Sequence, residues 1–305
     1  MSSNTENECF VFKYVHDVYP LIDPAPHFAG KTYKEKVVII TGGSTGIGAT
    51  TALFYAKAGA KIVIVARRVE KLDQCKRDIK KDVSDAQVLL VSGDISDPEV
   101  GKRTVKTAVE AWGRIDVVIS NHFSVSGGPM ARFADKDLAA WWNTQVVSVR
   151  GTLNIIHPAI PELLKTKGQV IVTTSQAAHH RIPPLADYSI AKHTLNRFVE
   201  ILSLDYPELF FCAVHPGIIY TPGAMEALAS MKFSDDVNPL PMPETSDTVE
   251  LPAATFLWLT ARNAEFLSGR YVEAPWDLNE VLAKKDEIVK DNLLVTKLAG
   301  PAKSV

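Results

Sequence analysis

Val37-Val-Ile-Ile-Thr-Gly-Gly-Ser-Thr-Gly-Ile-Gly48 is the stretch on which the fold turns. Four apolar residues run directly into a glycine-rich turn, and a helix-forming segment follows. An apolar run that short suits a strand buried on both faces, as in a parallel sheet. Gly42, Gly46 and Gly48 then provide what side chains forbid: a tight turn, close approach of backbone to a pyrophosphate, and close packing of helix on strand. A helix starting near Gly46 aims free N–H groups and its positive dipole end at the turn, which makes it an anion site. The spacing Gly-x-x-x-Gly-x-Gly is one residue longer than the usual dinucleotide fingerprint, and glycines alone mark only a turn. Set between strand and helix, they point to a bound nucleotide.

Outward from that turn the chain alternates. Ile47, Ala52, Leu53 and Ala56 recur at helical spacing, and Gly59 stands where a C-terminal cap belongs. Residues 62–65 form the next buried strand, 69–80 a charged surface helix, and 88–91 a third strand. Asp97-Pro98 supplies an N-cap with proline at the first helical position. Thr104, Val105, Ala108, Val109 and Trp112 make that helix's buried stripe, Gly113 ends it, and 115–120 is a fourth strand. A helical region over about 136–165 is expected to break or bend near Pro158 and Pro161. Strands at 169–173 and 209–215 flank a helix at 187–204; 253–260 is helical and 270–273 adds a seventh strand.

This pattern predicts one α/β domain over 36–275: a Rossmann-type, doubly wound parallel sheet of about seven strands with helices on both faces. An arm precedes it at 1–35, where Pro20, Pro24 and Pro26 exclude a long helix and scattered aromatics suit packing on the body or a second subunit. A helical extension follows at 276–305, with Leu278, Val281, Leu282, Ile288, Leu293, Leu294 and Leu298 among charges. One segment, 221–251, interrupts the alternation with Pro222, Pro239, Pro241 and Pro243. Its Met225, Leu228 and Met231 lie at helical spacing, either as core filling or as an adaptable lid over a hydrophobic substrate.

Composition narrows the function classes. Of 305 residues, 46% are hydrophobic and 22% charged, which describes a globular chain with a sizeable core. A net charge of −2 without a basic stripe argues against a nucleic-acid partner. Cys9, Cys75 and Cys212 are odd in number, far apart and without metal-ligand spacing, so neither a disulfide framework nor a metal is expected. The start lacks a basic, then apolar, secretory pattern, and no run nears the roughly 18 apolar residues of a membrane span. The expectation is a cytoplasmic protein with no membrane partner.

Ser175, Tyr188 and Lys192 form the second anchor. Four residues apart on a helix, Tyr188 and Lys192 share a face one turn apart. A phenol with a pKa of about 10 is a poor acid–base group at neutral pH, and a neighbouring ammonium is expected to lower it. Ser175 ends the fifth strand, at the carboxyl edge where open α/β sheets bind ligands, and its hydroxyl can bond the same oxygen as the phenol. Tyr-x-x-x-Lys alone is a common surface pair; its weight comes from the glycine turn and the serine upstream.

Together these residues resemble the classical short-chain dehydrogenase/reductase family. The resemblance covers about 36–275 and rests on Thr41-Gly-Gly-Ser-Thr-Gly-Ile-Gly48, Asp94, Asp116, Asn121, Ser175, Tyr188-Ser-Ile-Ala-Lys192, Pro216-Gly217 and Thr221. It implies that Tyr188 is the acid–base residue, Ser175 positions the carbonyl or hydroxyl, and Lys192 also binds the nicotinamide ribose. It further implies a cofactor site at Gly42, Ser44, Thr45, Gly46, Ile47, Gly48 and Asn121, adenine beside Asp94 and Ile95, and nicotinamide contacts from Ile218 and Thr221. A homodimer or homotetramer, paired through the helices flanking the fifth strand, is implied as well. The long ends are similar to those of reductases of fungal secondary metabolism.

Two departures stand out. Ser120-Asn-His-Phe123 replaces the family's Asn-Asn-Ala-Gly, so His122 and Phe123 need either a shifted backbone or new pockets. Ser148 falls where the family's fourth catalytic residue, an asparagine, anchors a relay water, and serine has a shorter reach. Cofactor choice turns on Val65-Ala-Arg-Arg68: Ala66 cannot bond a ribose 2′-hydroxyl, whereas Arg67 and Arg68 can pair with a 2′-phosphate, or be merely solvated. The reading favours NADP(H) over NAD(H). His179 and His180 are candidates for the pocket wall or for polar surface. The expected activity is carbonyl–alcohol interconversion by hydride transfer on a small hydrophobic molecule. The alternatives are a non-redox isomerase or cyclase of the same fold, or a nucleotide-binding sensor or scaffold without turnover.

Overall fold

The computed structural model describes residues 11–124, 129–230, 232–233 and 246–298. Its strands are β1 (Val37–Thr41), β2 (Lys61–Ala66), β3 (Val88–Ser92), β4 (Val117–Ser120), β5 (Pro129–Met130), β6 (Gln169–Thr173), β7 (Phe210–His215), β8 (Lys232–Phe233) and β9 (Arg270–Glu273). Seven of them form one sheet in the order β3-β2-β1-β4-β6-β7-β9, and every neighbouring pair is parallel. β5 and β8 pair separately. All five residues of β1 are buried, as an unbroken apolar run between helical layers requires. The chain winds outward through β1, β2 and β3, then returns to lay β4 on the other side of β1. That reversal opens a crevice at the carboxyl ends of β1 and β4.

The helices are α1 (Ala25–Gly30), α2 (Gly46–Lys57), α3 (Val69–Asp82), α4 (Pro98–Trp112), α5 (Leu138–Gln145), α6 (Gly151–Thr166), α7 (Ala186–Asp205), α8 (Pro222–Ser230), α9 (Glu250–Trp258), α10 (Leu278–Ala283) and α11 (Lys285–Lys290). One face carries α2 packed on α9, and the other carries α4 packed on α6. Asp97 caps α4 by accepting the Glu99 N–H, with Pro98 at its first position, and Gly113 closes it at φ +70°. Both caps follow the sequence reading.

The 136–165 region departs from it. The irregular turn is not at Pro158 and Pro161, which lie inside α6, but at Val146–Arg150, a π turn joining α5 to α6. A proline within a helix leaves the carbonyl four residues earlier without its N–H partner. For Pro158 that carbonyl is Asn154, and α4 packs against it through Gly101. A Cβ on Gly101 would stand 1.9 Å from the Asn154 oxygen. The helices approach this closely because Gly101 brings no side chain to the crossing.

The arm lies on the body rather than standing free. Tyr14 bridges Trp276 in antiparallel fashion, Val15 N–H donates to the Pro275 carbonyl (2.6 Å), and Asp277 N–H donates to Lys13 (2.7 Å). The extension folds as two short helices whose Leu278, Val281 and Ile288 are buried, while Leu298 is exposed. Of the methionine segment, α8 and β8 are described; the Met225 side chain is exposed, and Leu228 and Met231 lie outside the described side chains.

Gly101→Ala tests the α4–α6 contact. Alanine gains about 1 kcal/mol of helix propensity over glycine, yet overpacking against a backbone oxygen costs about 1–3 kcal/mol. At an approach of 1.9 Å to backbone the cost falls at the upper end, so a net loss of about 2 kcal/mol is expected from urea denaturation. An unchanged or raised midpoint would show that the two helices are not held at this distance.

Candidate active site

A cleft of about 830 Å³ opens at the β1–β4 reversal, within the range of small-molecule sites. Its floor is the turn after β1. Gly42 has φ +62°, and a Cβ there would reach the His122 backbone at 2.9 Å. Gly48 is tighter still: its Cβ would lie 2.3 Å from the Gly42 carbonyl. No side chain caps α2 at Thr45, so the first N–H groups of that helix are left to face the cleft.

Most residues singled out in the sequence meet here. Gly42, Ser44, Thr45, Gly46 and Ile47 line one end; Arg67, Arg68, Asp94 and Ile95 line the next; Asn121, Tyr188, Lys192 and Thr221 close the other. Gly48, Ser175 and Ile218 are not on the wall itself. Gly48 packs beneath the turn, and Ile218 turns its N–H to the Asp247 carboxylate (2.7 Å) while Ile219 takes the wall position. Asn121 fastens three strand ends: its N–H donates to the Thr41 hydroxyl (3.1 Å), its amide to the Gly42 carbonyl (3.4 Å), and its carbonyl accepts from Thr173 (3.3 Å). For Asp94, burial raises the carboxyl, but hydrogen bonds from Ser96 and the charge of Arg67 hold it below its ordinary value. Arg68 stands 3.9 Å from Glu226 on α8, leaving Arg67 the less engaged of the two.

Ser175 lies just beyond the end of β6 at Thr173, rather than ending the strand itself, and caps a short turn, accepting the Ala177 N–H at 3.2 Å. It also hydrogen-bonds Tyr188, which favours the phenolate. Burial nevertheless raises Tyr188 above its ordinary value. This corrects the expectation of a lowered phenol: the exclusion of water around Tyr188 outweighs the Ser175 hydrogen bond, and its neighbour shares that exclusion. Lys192 is 1% exposed, sits 5.6 Å from the centre of the Tyr188 ring and donates to the Thr173 carbonyl at 2.8 Å. Burial draws it down to about 7, so at neutral and higher pH much of its charge is gone.

The two departures find places of their own. His122 Nε2 lies 3.1 Å from the Val147 carbonyl, which only accepts, so Nε2 carries the proton. Nδ1 then accepts from the Thr41 hydroxyl at 2.8 Å. Burial pushes His122 down to about 3, so the ring is neutral. Gly151 makes the room, since a Cβ there would stand 2.8 Å from Nε2. The imidazole thereby bridges β1 to the π turn. Phe123 stays 43% exposed at the mouth, opposite Gly223. Ser148 is buried on that turn, and among the described residues its hydroxyl has no partner. His179 and His180 do not line the cleft; His179 packs on Tyr271 (ring centres 4.4 Å apart) and faces Asn196 at 3.0 Å.

Sequence reasoning missed His122 as a built element of the site, as well as Thr173, Val147 and Glu226 on its wall. The oversized residue at 122 was the available signal, but its partners are remote in sequence.

A short chain dehydrogenase family model matches residues 36–232. Short chain dehydrogenase pigC of Monascus ruber is 30% identical over 298 residues, spanning 92% of this chain and 91% of its own. Short chain dehydrogenase andI of Emericella variicolor is 31% identical over 297 residues, spanning 94% and 96%. Among solved structures, L-sorbose reductase from Gluconobacter frateurii, complexed with NADPH and L-sorbose, shares the fold with a TM-score of 0.67. The identity is 23%, over 79% of this chain and 95% of that one. The chain belongs to the short-chain dehydrogenase family, oxidoreductases that bind a nicotinamide cofactor and act on small molecules. No helix among the described residues is long and apolar enough to cross a membrane.

Burying Lys192 without a carboxylate has a stability signature. The group titrates at about 7 in the fold and at 10.5 ordinarily, so between those values the unfolded chain holds more proton. Stability from this site therefore rises with pH over that window and is lost as pH falls towards 7. Lys192→Met, which keeps the stem and removes the charge, is expected to raise stability at pH 7 by on the order of ~2 kcal/mol. The gap should narrow towards pH 10 in paired thermal-unfolding series. A gap that is absent at pH 7, or constant with pH, would show that the amine is not desolvated.

Proposed function

We propose that the protein is an NADP(H)-dependent oxidoreductase interconverting a carbonyl and a secondary alcohol on a small hydrophobic molecule, with Tyr188 as its acid–base residue. The observation that carries this reading is the convergence of Ser175, Tyr188 and Lys192 beside a turn stripped of side chains. The residues fit a dinucleotide. The uncapped N-terminus of α2 and the bare turn at Gly42–Gly48 suit a pyrophosphate, with Ser44 and Thr45 at its edge. Asp94 and Ile95 would hold adenine; Asn121 and Lys192 the nicotinamide ribose; the backbone around Ile218 and Thr221 the carboxamide. Arg67, with Arg68 as second partner, would take a 2′-phosphate, because both are exposed on the wall where β2 ends.

Bound there, the cofactor supplies or accepts the hydride. Tyr188 gives a proton to the substrate oxygen in reduction and takes it back in oxidation, while Ser175 holds that oxygen. Lys192, near its own pKa at neutral pH, restores the phenol's proton. His122 keeps the π turn against β1 and leaves Ser148 beneath the site. Phe123 at the mouth supports an apolar substrate. Leu138 and Trp142 on α5, with Ile201 and Leu204 on α7, are exposed apolar side chains that support a homodimer or homotetramer. The Monascus ruber and Emericella variicolor relatives extend beyond the family match at both ends, in support of a secondary-metabolic role. The buried thiols Cys75 and Cys212 suit a reducing, cytoplasmic setting.

Tyr188→Phe keeps the ring and removes the exchangeable proton. Single-turnover hydride transfer at saturating NADPH, against a panel of apolar ketones, should fall by about 10²–10⁴-fold. Cofactor affinity, titrated separately, should change less than about twofold on the general-acid reading. Near-normal transfer would move proton exchange to another group.

Arg67→Ala addresses cofactor choice. The loss of one charge-assisted hydrogen bond, about 1.5–3 kcal/mol, predicts roughly 10- to 150-fold weaker NADPH binding. NADH binding should hardly change. Equal losses for the two cofactors would remove the phosphate role.

A further inference from the structure

The arm touches residues adjoining the active site at two points, and neither is a packing contact alone. Tyr14 and His16 are two apart on an extended segment, so their side chains leave it on one face. The Tyr14 hydroxyl donates to Glu273 Oε2 at 2.5 Å, and Gln176 Nε2 donates to the Tyr14 oxygen at 2.6 Å. Glu273 ends β9, is 1% exposed, and takes a further bond from Tyr271 at 2.9 Å. Gln176 directly follows Ser175 and opens the turn that Ser175 caps. A buried carboxylate thus fixes a tyrosine of the arm, and that tyrosine fixes the residue beside the catalytic serine.

The second point is on the cofactor side. His16 Nδ1 lies 2.6 Å from Asp247 Oδ1. Asp247 is 7% exposed, and its other oxygen accepts the Ile218 N–H at 2.7 Å, while its own N–H returns to the Ile218 carbonyl at 2.9 Å. Gly217 has φ +100°, and a Cβ there would meet Asp247 Oδ2 at 2.5 Å. The carboxylate therefore occupies the space of a side chain at 217 and presses on a turn whose Pro216, Gly217 and Ile219 line the cleft. The Thr248 N–H donates to the His16 carbonyl at 3.0 Å, so arm and loop are laced by backbone as well.

We propose that Tyr14 and His16 are positioning residues: the arm clamps the turn of Ser175 through Gln176 and Glu273, and the cofactor-side turn of Gly217 through Asp247. This rests on the roles proposed above for Ser175 and the 216–219 turn. Each contact acts on a different half of the reaction. Loss of the Tyr14 hydroxyl leaves Gln176 only its longer bond to Glu273 Oε2, at 3.5 Å, and so loosens the serine without touching the cofactor wall. Loss of the His16 ring leaves Asp247 with one partner fewer and loosens the Gly217 turn, so cofactor binding suffers first.

The test splits these effects on the full chain. NADPH and NADH affinities are read by nicotinamide fluorescence, which needs no substrate, and turnover is read on whichever ketone the wild type reduces. His16→Ala should weaken NADPH about 3- to 10-fold, and His16→Asn, which keeps a donor to Asp247, should restore most of it. Tyr14→Phe should leave NADPH affinity unchanged and lower kcat about 5- to 20-fold. Unchanged affinity in His16→Ala, no recovery in His16→Asn, or unchanged kcat in Tyr14→Phe would each overturn the clamp. So would losses of affinity and kcat in step with the unfolded fraction seen by circular dichroism. A wild type that binds neither NADPH nor NADH would instead refute the proposed function, which keeps the two failures apart.

Discussion

At the carboxyl end of β1 the backbone folds back on itself more tightly than any side chain permits. A Cβ on Gly48 would stand 2.3 Å from the Gly42 carbonyl and 2.9 Å from the Asn121 amide; one on Gly42 would strike the backbone of His122. This crowding holds the start of α2 against the ends of β1 and β4, and with it the crevice between them. The uncapped N–H groups of α2, the strand-end fastening by Asn121 and the seat of Thr221 against Gly46 all follow from that approach. Glycine is needed here for lack of volume as much as for freedom of φ.

Two lysine side chains shielded from water, Lys136 and Lys192, are treated differently by the fold. The side chain of Lys136 is 5% exposed and meets Asp187 at 3.3 Å and the Pro184 carbonyl at 2.6 Å, the paired arrangement expected of a buried amine. Lys192 donates to the Thr173 carbonyl, and among the described residues it meets no carboxylate. Its protonated form is disfavoured by burial, which places its titration where a proton can be taken and returned near neutral pH. Tyr188, raised by the same burial, keeps its proton until a partner takes it. Neither group is tuned by the other's charge so much as by the shared exclusion of water.

The π turn at Val146–Arg150 ties this site to the opposite helical layer. Its Val147 carbonyl pairs with His122, and Gly151 leaves space for the ring. A neutral imidazole therefore links β1, β4 and the α5–α6 junction, and Ser148 is held within that junction. π turns of this kind tend to mark functional positions in helices.

What the sequence determined by itself was whatever depends on near neighbours. Apolar runs between glycines and caps located the seven strands of the main sheet but not the short β5–β8 pair; Asp97-Pro98 and Gly113 bounded α4; four-residue spacing put Tyr188 and Lys192 on one face. The glycine turn placed the cleft because its steric demand is local. The bend in the long helix was misplaced, because the prolines advertise themselves in sequence while a π turn depends on who takes the freed carbonyl. Only the tertiary structure decided that His122 is a neutral bridge, for its partners Thr41 and Val147 lie 81 and 25 residues away. Only it set the proton affinities of Tyr188 and Lys192, which are fixed by the water excluded around them rather than by their spacing. The arm's contacts are the farthest case: Tyr14 reaches Glu273 across 259 residues and His16 reaches Asp247 across 231. No local pattern encodes such pairs, because a hydrogen bond over that separation exists only once the sheet has brought β9 and the arm to one edge.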